Sequence, residues 1–132
     1  MTVCAISPVP TYKMGQIQPI ILCVDDSQEI LEICQSILKA GGYHVFTASG
    51  AAEALELLQL QAVDAVVVDS IMPGMNGIDL ARQIKNSAAG MLVVMYSGTL
   101  HGNESFPFVD ACLPKGKGPI ALRDLLGSLL HK

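Results

Sequence analysis

Tryptophan is absent from this chain, and only three phenylalanines and three tyrosines are present. The 8 basic residues are outnumbered by 12 acidic ones, and none of the basic residues forms a run. A nucleic-acid surface needs clustered Lys and Arg, so this charge balance argues against direct binding to DNA or RNA. No segment has the apolar length of a membrane span, and the N-terminus lacks a basic region followed by an apolar stretch. We therefore expect no direct nucleic-acid partner and no membrane partner.

Closely spaced cysteine pairs are missing as well. Cys4, Cys23, Cys34 and Cys112 are widely separated and form no CxxC motif. Cys23 and Cys34 fall in apolar patterns, which is typical of reduced thiols in a protein core. This usage favours a cytoplasmic location. The 132 residues, 51% of them hydrophobic, are sufficient for one globular domain with a core.

The chain divides into a short irregular start and one regular domain. Residues 1–18, with Pro8, Pro10 and Gly15, show no periodicity and are predicted to form an N-terminal extension, so that the domain covers 19–132. Apolar runs predict strands over 20–24, 43–47, 65–69, 91–96 and 108–113. Patterns of helical period separate most of these runs, with Ser49 a candidate cap for the helix over 51–60. Such alternation predicts an α/β domain with a doubly wound, flavodoxin-like parallel sheet and helices on both faces.

Polar side chains stand at the ends of four of the predicted strands. Asp25 and Asp26 follow the first strand, Asp69 ends the third, Ser97 follows the fourth, and Lys115 comes shortly after the fifth. Because the carboxyl ends of parallel strands lie along one edge of the sheet, we expect these side chains to converge there.

Three carboxylates at one place repel one another unless a cation holds them. Mg²⁺ prefers oxygen ligands and is commonly bound by one or two carboxylates together with a substrate phosphate. Asp69 stands alone at the most apolar strand and is the best nucleophile for a phosphoryl group, whereas Asp25 and Asp26 suit a metal-holding pair. The Lys115 ammonium and the Ser97 hydroxyl are suited to binding phosphoryl oxygens.

Each of these residues has a structural alternative when it is taken singly. Asp26 could cap a helix beginning at Gln28, and Asp69 could be an ordinary turn residue before a Pro/Gly loop. Ser97 before a glycine is commonly a turn residue, and a lone Lys115 is commonly a solvated charge. Their joint occurrence at the ends of different strands favours a site.

Four motifs resemble the receiver domain of bacterial two-component response regulators, and the resemblance covers about residues 20–130. The motifs are ILCVDDS at 21–27, VVVDSIMPGMNG at 66–77, VVMYSG at 93–98 and DACLPKG at 110–116. The resemblance implies that Asp25 and Asp26 belong to an acidic Mg²⁺ pocket and that Asp69 is both phospho-acceptor and metal ligand. It also implies that the backbone carbonyl of Ile71 binds the metal.

The same resemblance assigns Ser97 as the hydroxyl switch residue and Lys115 as the phosphate-contacting lysine.

The sequence departs from the family pattern at three places. Cys112 stands where receivers usually carry Tyr or Phe on the fifth strand, so Cys112 is a variant switch position. Gly116 replaces the usual Pro, so a cis X-Pro bond is not expected after the lysine. Segment 99–107 contains Gly and Pro where receivers have a full helix, which predicts a fourth helix that is short or absent.

The resemblance implies a function in signalling. A histidine kinase or a histidine phosphotransfer protein would donate a phosphoryl group to Asp69 in the presence of Mg²⁺, and a change of conformation would signal to a partner protein or an output domain. The protein is then not an enzyme in the ordinary sense, since it catalyses only phosphorylation and dephosphorylation of its own aspartate.

Two other functions remain open at this point. A phosphatase of the haloacid-dehalogenase type shares the Asp nucleophile and Mg²⁺, but it needs a second Asp where Ile71 stands. A receiver-like interaction module that works without phosphate is favoured by Cys112, Gly116 and the short helix segment. The chain ends soon after the last predicted helix, so both a stand-alone receiver and a piece of a longer protein remain open.

Overall fold

A computed structural model describes residues 18–131, in which helices separate most of the five strands, as predicted. The predicted extension lies outside the described residues except for its last position. The strands are β1 (Ile20–Val24), β2 (His44–Ala48), β3 (Ala65–Val68), β4 (Leu92–Ser97) and β5 (Ala111–Pro114). The helices are α1 (Gln28–Ala40), α2 (Ala51–Leu60), α3 (Gly77–Ser87) and α4 (Pro119–Leu130), with a single 3-10 turn at Lys115–Lys117. No helix within 18–131 has the length and apolar character to cross a membrane.

The strands form one parallel sheet in the order β2-β1-β3-β4-β5. Helices α1 and α4 pack on one face, where a core cluster includes Leu38 and Leu126, and α2 and α3 pack on the other, where a second cluster includes Ala54 and Leu80. The predicted doubly wound α/β fold is thereby confirmed. Strand order reverses between β1 and β3, and the carboxyl ends of these two strands flank the crevice in which such folds bind ligands.

Strand β3 shows why its sequence is an unbroken apolar run. Val66 and Val68 point into the core cluster under α2 and α3, while Ala65 and Val67 point into the cluster under α1 and α4. All four residues are buried, because helices cover both faces of a parallel sheet. Asp69 is the first polar residue after this run, and it therefore lies at the edge of the sheet where the chain leaves the core.

The helix caps differ from the simplest sequence interpretation. Ser27, and not Asp26, caps α1: its Oγ accepts a hydrogen bond from the Ile30 N–H at 3.3 Å. The alternative role of Asp26 as a cap is therefore wrong. At α2 the cap residue is Gly50, while Ser49 donates its N–H and hydroxyl to Glu53. The predicted Ser49 cap is also wrong, because the Ser49 hydroxyl donates to the Glu53 carboxylate instead of accepting a backbone N–H of α2.

The chain between β4 and β5 contains no helix. This agrees with the prediction that the helix which receivers have before the fifth strand is short or absent here; the helix labelled α4 follows β5. Leu100 is buried in this segment, and Phe106 packs against the same core cluster from the loop. Strand β5 is shorter than predicted and begins at Ala111 instead of residue 108. Phe108 has a φ of 69°, a left-handed conformation that a strand cannot contain, so the chain turns there before it joins the sheet.

Candidate functional site

Three carboxylates meet at the point where the strand order reverses. Asp25 and Asp26 follow β1, Asp69 follows β3, and one carboxylate oxygen of each lies within 4.8 Å of the others. Asp25 is 4% exposed and Asp69 is 8% exposed, whereas Asp26 lies at the surface. The pocket therefore has two desolvated carboxylates at its base and a solvated one at its rim.

Backbone hydrogen bonds hold the two buried aspartates in place. The Asp25 N–H donates to the carbonyl of Ala48, and the Asp69 N–H donates to the carbonyl of Val24, both at 3.1 Å. The sheet ladder thus continues for one residue beyond β1 and β3. In addition, Asp25 Oδ1 accepts the N–H of Ser27 at 2.9 Å, which ties this carboxylate to the start of α1.

The loop after Asp69 ends at Gly77, and any other residue at this position would require the backbone to shift. The Gly77 N–H donates to the Ser70 carbonyl at 2.9 Å, and a Cβ on Gly77 would lie 2.0 Å from the backbone oxygen of Asp69. Asn76 caps α3 by accepting the Asp79 N–H at 2.8 Å. The final Asn-Gly of the predicted motif therefore brings α3 back against the strand that carries Asp69.

Lys115 reaches the acidic pocket from the end of β5. Its Nζ lies 2.7 Å from Asp25 Oδ2 and 3.4 Å from Asp69 Oδ2. Burial lowers the pKa of the Lys115 ammonium, but its hydrogen bonds and charge interactions with Asp25 and Asp69 outweigh burial, and the pKa lies above its ordinary value. The lysine is thus held charged beside the two buried carboxylates.

Ser97 ends β4 and is almost fully buried beside two other hydroxyls. Its Oγ lies 2.5 Å from Ser70 Oγ and 3.1 Å from Thr99 Oγ1, and these two partners are 2.9 Å from each other. Ser70 and Thr99 were not among the residues predicted from the sequence. The only signal for Ser70 was its position directly after Asp69, and a serine in a loop is rarely more than a turn residue.

Two further predicted positions have a different status. Cys112 lies on β5 opposite Met95, is partly buried with the core cluster under α2 and α3, and has its thiol pKa raised by burial. Ile71 exposes its side chain in the loop after Asp69, as a residue would that contributes only a backbone carbonyl. The metal-binding role of that carbonyl remains a prediction.

The donor set suits a hard divalent cation. Carboxylate oxygens from Asp25, Asp26 and Asp69 are the ligand type that Mg²⁺ prefers, and Mg²⁺ is typically bound by few protein oxygens with several waters. Because Asp26 is exposed, the pocket meets solvent at its rim. The residues present therefore fit the predicted Mg²⁺ site.

A parallel sheet of this order, with an acidic pocket at its switch point and a lysine beside it, defines the class of doubly wound α/β domains that bind ligands at the carboxyl ends of β1 and β3. The family model for the response regulator receiver domain matches residues 21–106. The chain belongs to this family, as its motifs predicted.

Curated relatives agree with the family. The chain is 31% identical over 113 residues to response regulator MprA of Mycobacterium leprae, a match that covers 83% of this chain and 48% of the relative. It is 40% identical over 65 residues to response regulator SaeR of Staphylococcus aureus, covering 49% of this chain and 28% of the relative. The chain therefore spans about half the length of the MprA relative.

Solved structures show the same architecture. The response regulator TrrA of Thermotoga maritima, solved in complex with Mg²⁺-BeF, superposes with a TM-score of 0.78 at 25% identity, covering 85% of this chain and 99% of that one. A CheY-like receiver domain protein of Methanospirillum hungatei gives a TM-score of 0.74 at 29% identity, with coverages of 87% and 93%. The receiver domain of an HD domain-containing protein of Pseudomonas fluorescens gives 0.78 at 26% identity, with coverages of 87% and 96%.

Proposed function

We propose that this receiver domain accepts a phosphoryl group on Asp69 from a histidine kinase or a histidine phosphotransfer protein, and that the modification signals to a partner protein or an output domain. The observation that carries the proposal is the convergence of Asp25, Asp26 and Asp69 with the Lys115 ammonium at the switch point of the sheet. These groups come from three different strand ends, and phosphoryl transfer needs each of them.

The transfer step has a simple balance of bonds. A carboxylate oxygen of Asp69 attacks the phosphorus of a phosphohistidine in line, a new O–P bond forms, and the N–P bond breaks. The electron pair of that bond returns to the imidazole nitrogen of the donor, which then takes up a proton. Asp69 suits the role of nucleophile because its backbone is fixed by the ladder bond to Val24.

The chain's own residues then stabilise the product. Lys115 lies close enough to Asp69 to interact with a phosphoryl oxygen as a compact positive charge. Ser97, which ends the neighbouring strand, supplies a hydroxyl donor to another oxygen. A Mg²⁺ ion bound by Asp25, Asp26 and Asp69 would supply neutralisation of the negative charge that gathers in the pocket. We propose no turnover of a separate substrate, only phosphorylation and dephosphorylation of Asp69 itself.

The partners follow from the family and are part of the proposal. The chain spans about half the length of its first curated relatives. The part that responds to phosphorylation of Asp69 is therefore proposed to be either an attached domain or a separate protein. A cytoplasmic location is proposed with it, supported by the free thiols of Cys23, Cys34 and Cys112, which fit a reducing compartment.

Two features favour a second candidate, a receiver-like module that binds its partner independently of phosphate. The chain has Cys112 in place of an aromatic switch residue, and segment 98–110 contains no helix. Both features alter the face through which receivers of the family transmit a signal. The intact acidic pocket and Lys115 favour the first candidate.

Phosphorylation itself is the decisive experiment. The protein is incubated with Mg²⁺ and a small acyl phosphate, and its intact mass is measured beside Asp69→Asn and the control Asp124→Asn, which changes an exposed carboxylate on α4. We expect the wild type and the control to gain one phosphoryl group in a Mg²⁺-dependent manner and Asp69→Asn to gain none. A folded wild type that gains no mass would refute phospho-acceptance and leave the phosphate-independent module as the better function.

A further inference from the structure

The three hydroxyls beside Asp69 form a closed triangle. Ser70 Oγ, Ser97 Oγ and Thr99 Oγ1 are separated by 2.5, 2.9 and 3.1 Å, all of them hydrogen-bond distances or close to them. The Thr99 N–H also points at Ser97 Oγ at 3.3 Å. Ser97 is 1% exposed, so these neighbours, and not bulk water, satisfy its hydroxyl.

The protons of the three hydroxyls are all used inside the triangle. Each hydroxyl carries one proton, and three contacts between three hydroxyls use all three protons as donors. With the triangle closed, Ser97 has no proton left to donate toward Asp69, and within residues 18–131 no hydrogen bond joins these two side chains. A phosphoryl group on Asp69 brings negative oxygens that require donors. To donate its proton to a phosphoryl oxygen, Ser97 must then break one of its hydrogen bonds within the triangle.

We propose that Ser70 is a positioning residue that acts as a latch on the Ser97 hydroxyl: it keeps the Ser97 proton inside the triangle and thereby opposes engagement of Ser97 with the phosphoryl group. The inference rests on the proposed function, because it concerns the same phospho-acceptor. It assigns a role to a residue for which neither the sequence motifs nor the family match supplies one.

The position of Ser70 explains why the latch is coupled to the site. Ser70 follows Asp69 directly, and its carbonyl is held by the Gly77 N–H at 2.9 Å, so its side chain is anchored to the loop that carries the phospho-acceptor. Thr99 lies in the turn after β4, at the start of the helix-free segment that leads to β5. The triangle therefore joins the loop after β3 to the loop after β4, and opening it releases one from the other.

Removal of the Ser70 hydroxyl has a defined consequence. In Ser70→Ala only the contact between Ser97 and Thr99 remains, and Thr99 can make it with its own proton. The Ser97 proton is then available to the phosphoryl group without loss of a hydrogen bond. Since one net hydrogen bond is worth about 0.5–1.5 kcal/mol, a phosphoryl analogue should bind Ser70→Ala roughly two- to tenfold more tightly than wild type.

The test measures binding of beryllium fluoride in the presence of Mg²⁺, by calorimetric titration of the full chain. Four proteins are compared: wild type, Ser70→Ala, Ser70→Thr, which keeps a hydroxyl, and Ser128→Ala, which removes an exposed hydroxyl on α4. We expect Ser70→Ala to bind more tightly and the other two variants to match wild type. A merely structural role for Ser70 predicts the opposite sign, because damage to the loop that carries Asp69 weakens binding.

The outcomes separate the two proposals. If wild type binds the analogue and Ser70→Ala binds it equally or more weakly while keeping the wild-type melting temperature, the latch is refuted and phospho-acceptance stands. If Ser70→Thr also binds more tightly, the hydroxyl is not the cause, and the latch is refuted in the same way. If folded wild type neither binds the analogue nor gains a phosphoryl group from an acyl phosphate, the proposed function fails and the latch fails with it.

Discussion

Replacement of Lys115 by methionine tests the electrostatics of the acidic pocket directly. Methionine keeps the apolar stem of the side chain but removes the ammonium that lies 2.7 Å from Asp25 and 3.4 Å from Asp69. The remaining carboxylates then repel one another without a cation between them. We expect Lys115→Met to lower the free energy of unfolding at neutral pH when divalent cations are chelated.

The magnitude follows from the burial of the pair. The Asp25 side chain is 6% exposed and the Lys115 side chain 21%, so the contact is largely shielded from water. Breaking a buried ion pair by removal of one partner costs about 3–5 kcal/mol. Here Asp25 keeps its hydrogen bond from Ser27, and the pocket opens to water at Asp26, so we expect a smaller loss of about 1–3 kcal/mol.

Mg²⁺ should reverse part of this loss. A ligand that binds only the folded state stabilises it more when it binds more tightly, and the carboxylates of the variant have no competing ammonium. The rise in unfolding free energy on addition of Mg²⁺ should therefore be larger in Lys115→Met than in wild type. Phosphorylation of Asp69 should nevertheless be weaker in the variant, because a phosphoryl oxygen loses its positive partner.

Urea unfolding with EDTA and with MgCl₂ measures both effects in one experiment. Lys117→Met is the matched control, since Lys117 is an exposed lysine in the same 3-10 turn. It should leave the unfolding free energy and the Mg²⁺ response unchanged. Equal stability of Lys115→Met and wild type in EDTA, or an equal response to Mg²⁺, would refute the electrostatic reasoning.

Three further changes have defined outcomes. Gly77→Ala should destabilise the fold by about 2 kcal/mol or more and slow phosphorylation, because the new Cβ meets the backbone oxygen of Asp69; urea unfolding and intact mass measure this. Asp110→Ala should cost about 1–3 kcal/mol in urea unfolding, because it removes the 2.8 Å ion pair to Lys85 and an acceptor of a buried β4 N–H. NMR titration should give Glu104 a pKa below the ordinary glutamate value, because the N–H groups of Gly102 and His101 donate to its carboxylate. The hydrogen bonds of Glu104 to the loop should persist above the ordinary glutamate pKa and be lost as pH falls through the lowered value.

Matched variants decide each of these expectations. Gly90→Ala, at a position where a Cβ meets nothing, should be neutral, and an equally neutral Gly77→Ala would show that the loop after Asp69 yields easily. Asp124→Ala should leave stability unchanged, and the same result for Asp110→Ala would assign no stabilising role to the Lys85 pair. If Glu104 titrates at the ordinary glutamate value, its hydrogen bonds to the loop do not form in solution.

The candidate site was largely predictable because its charged residues each carry a local signal. Asp69 follows a run of valines, and Asp25 and Asp26 follow another apolar run, so their places at strand ends could be inferred from their neighbours in the chain. Parallel topology then requires such ends to share one edge of the sheet. The structure brings Asp25, Asp26, Asp69 and Lys115 together there, while their chemical roles remain to be tested.

Predictions that depended on side-chain direction were less successful. Apolar residues lie on more than one side of α1, where Leu31 is buried and Ile33 is 45% exposed. The side of α1 that faces the sheet is decided by how α1 packs against β1 and α4, and the helix itself offers more apolar positions than the core accepts. The caps at Ser27 and Gly50 were missed for a similar reason, because neighbouring polar residues compete for the same backbone N–H groups.

The chain's local pattern alone predicted the strands and most of the helices between them, a helix before β5 that is short or absent, and the carboxylates at the strand ends, since these depend on residues close together in sequence. Only the tertiary structure decided that Lys115 pairs with Asp25 and that Ser70, 27 residues before Ser97, contacts its hydroxyl. Such contacts arise because the strand order β2-β1-β3-β4-β5 brings distant segments to one edge, and short-range propensities carry no information about that distance.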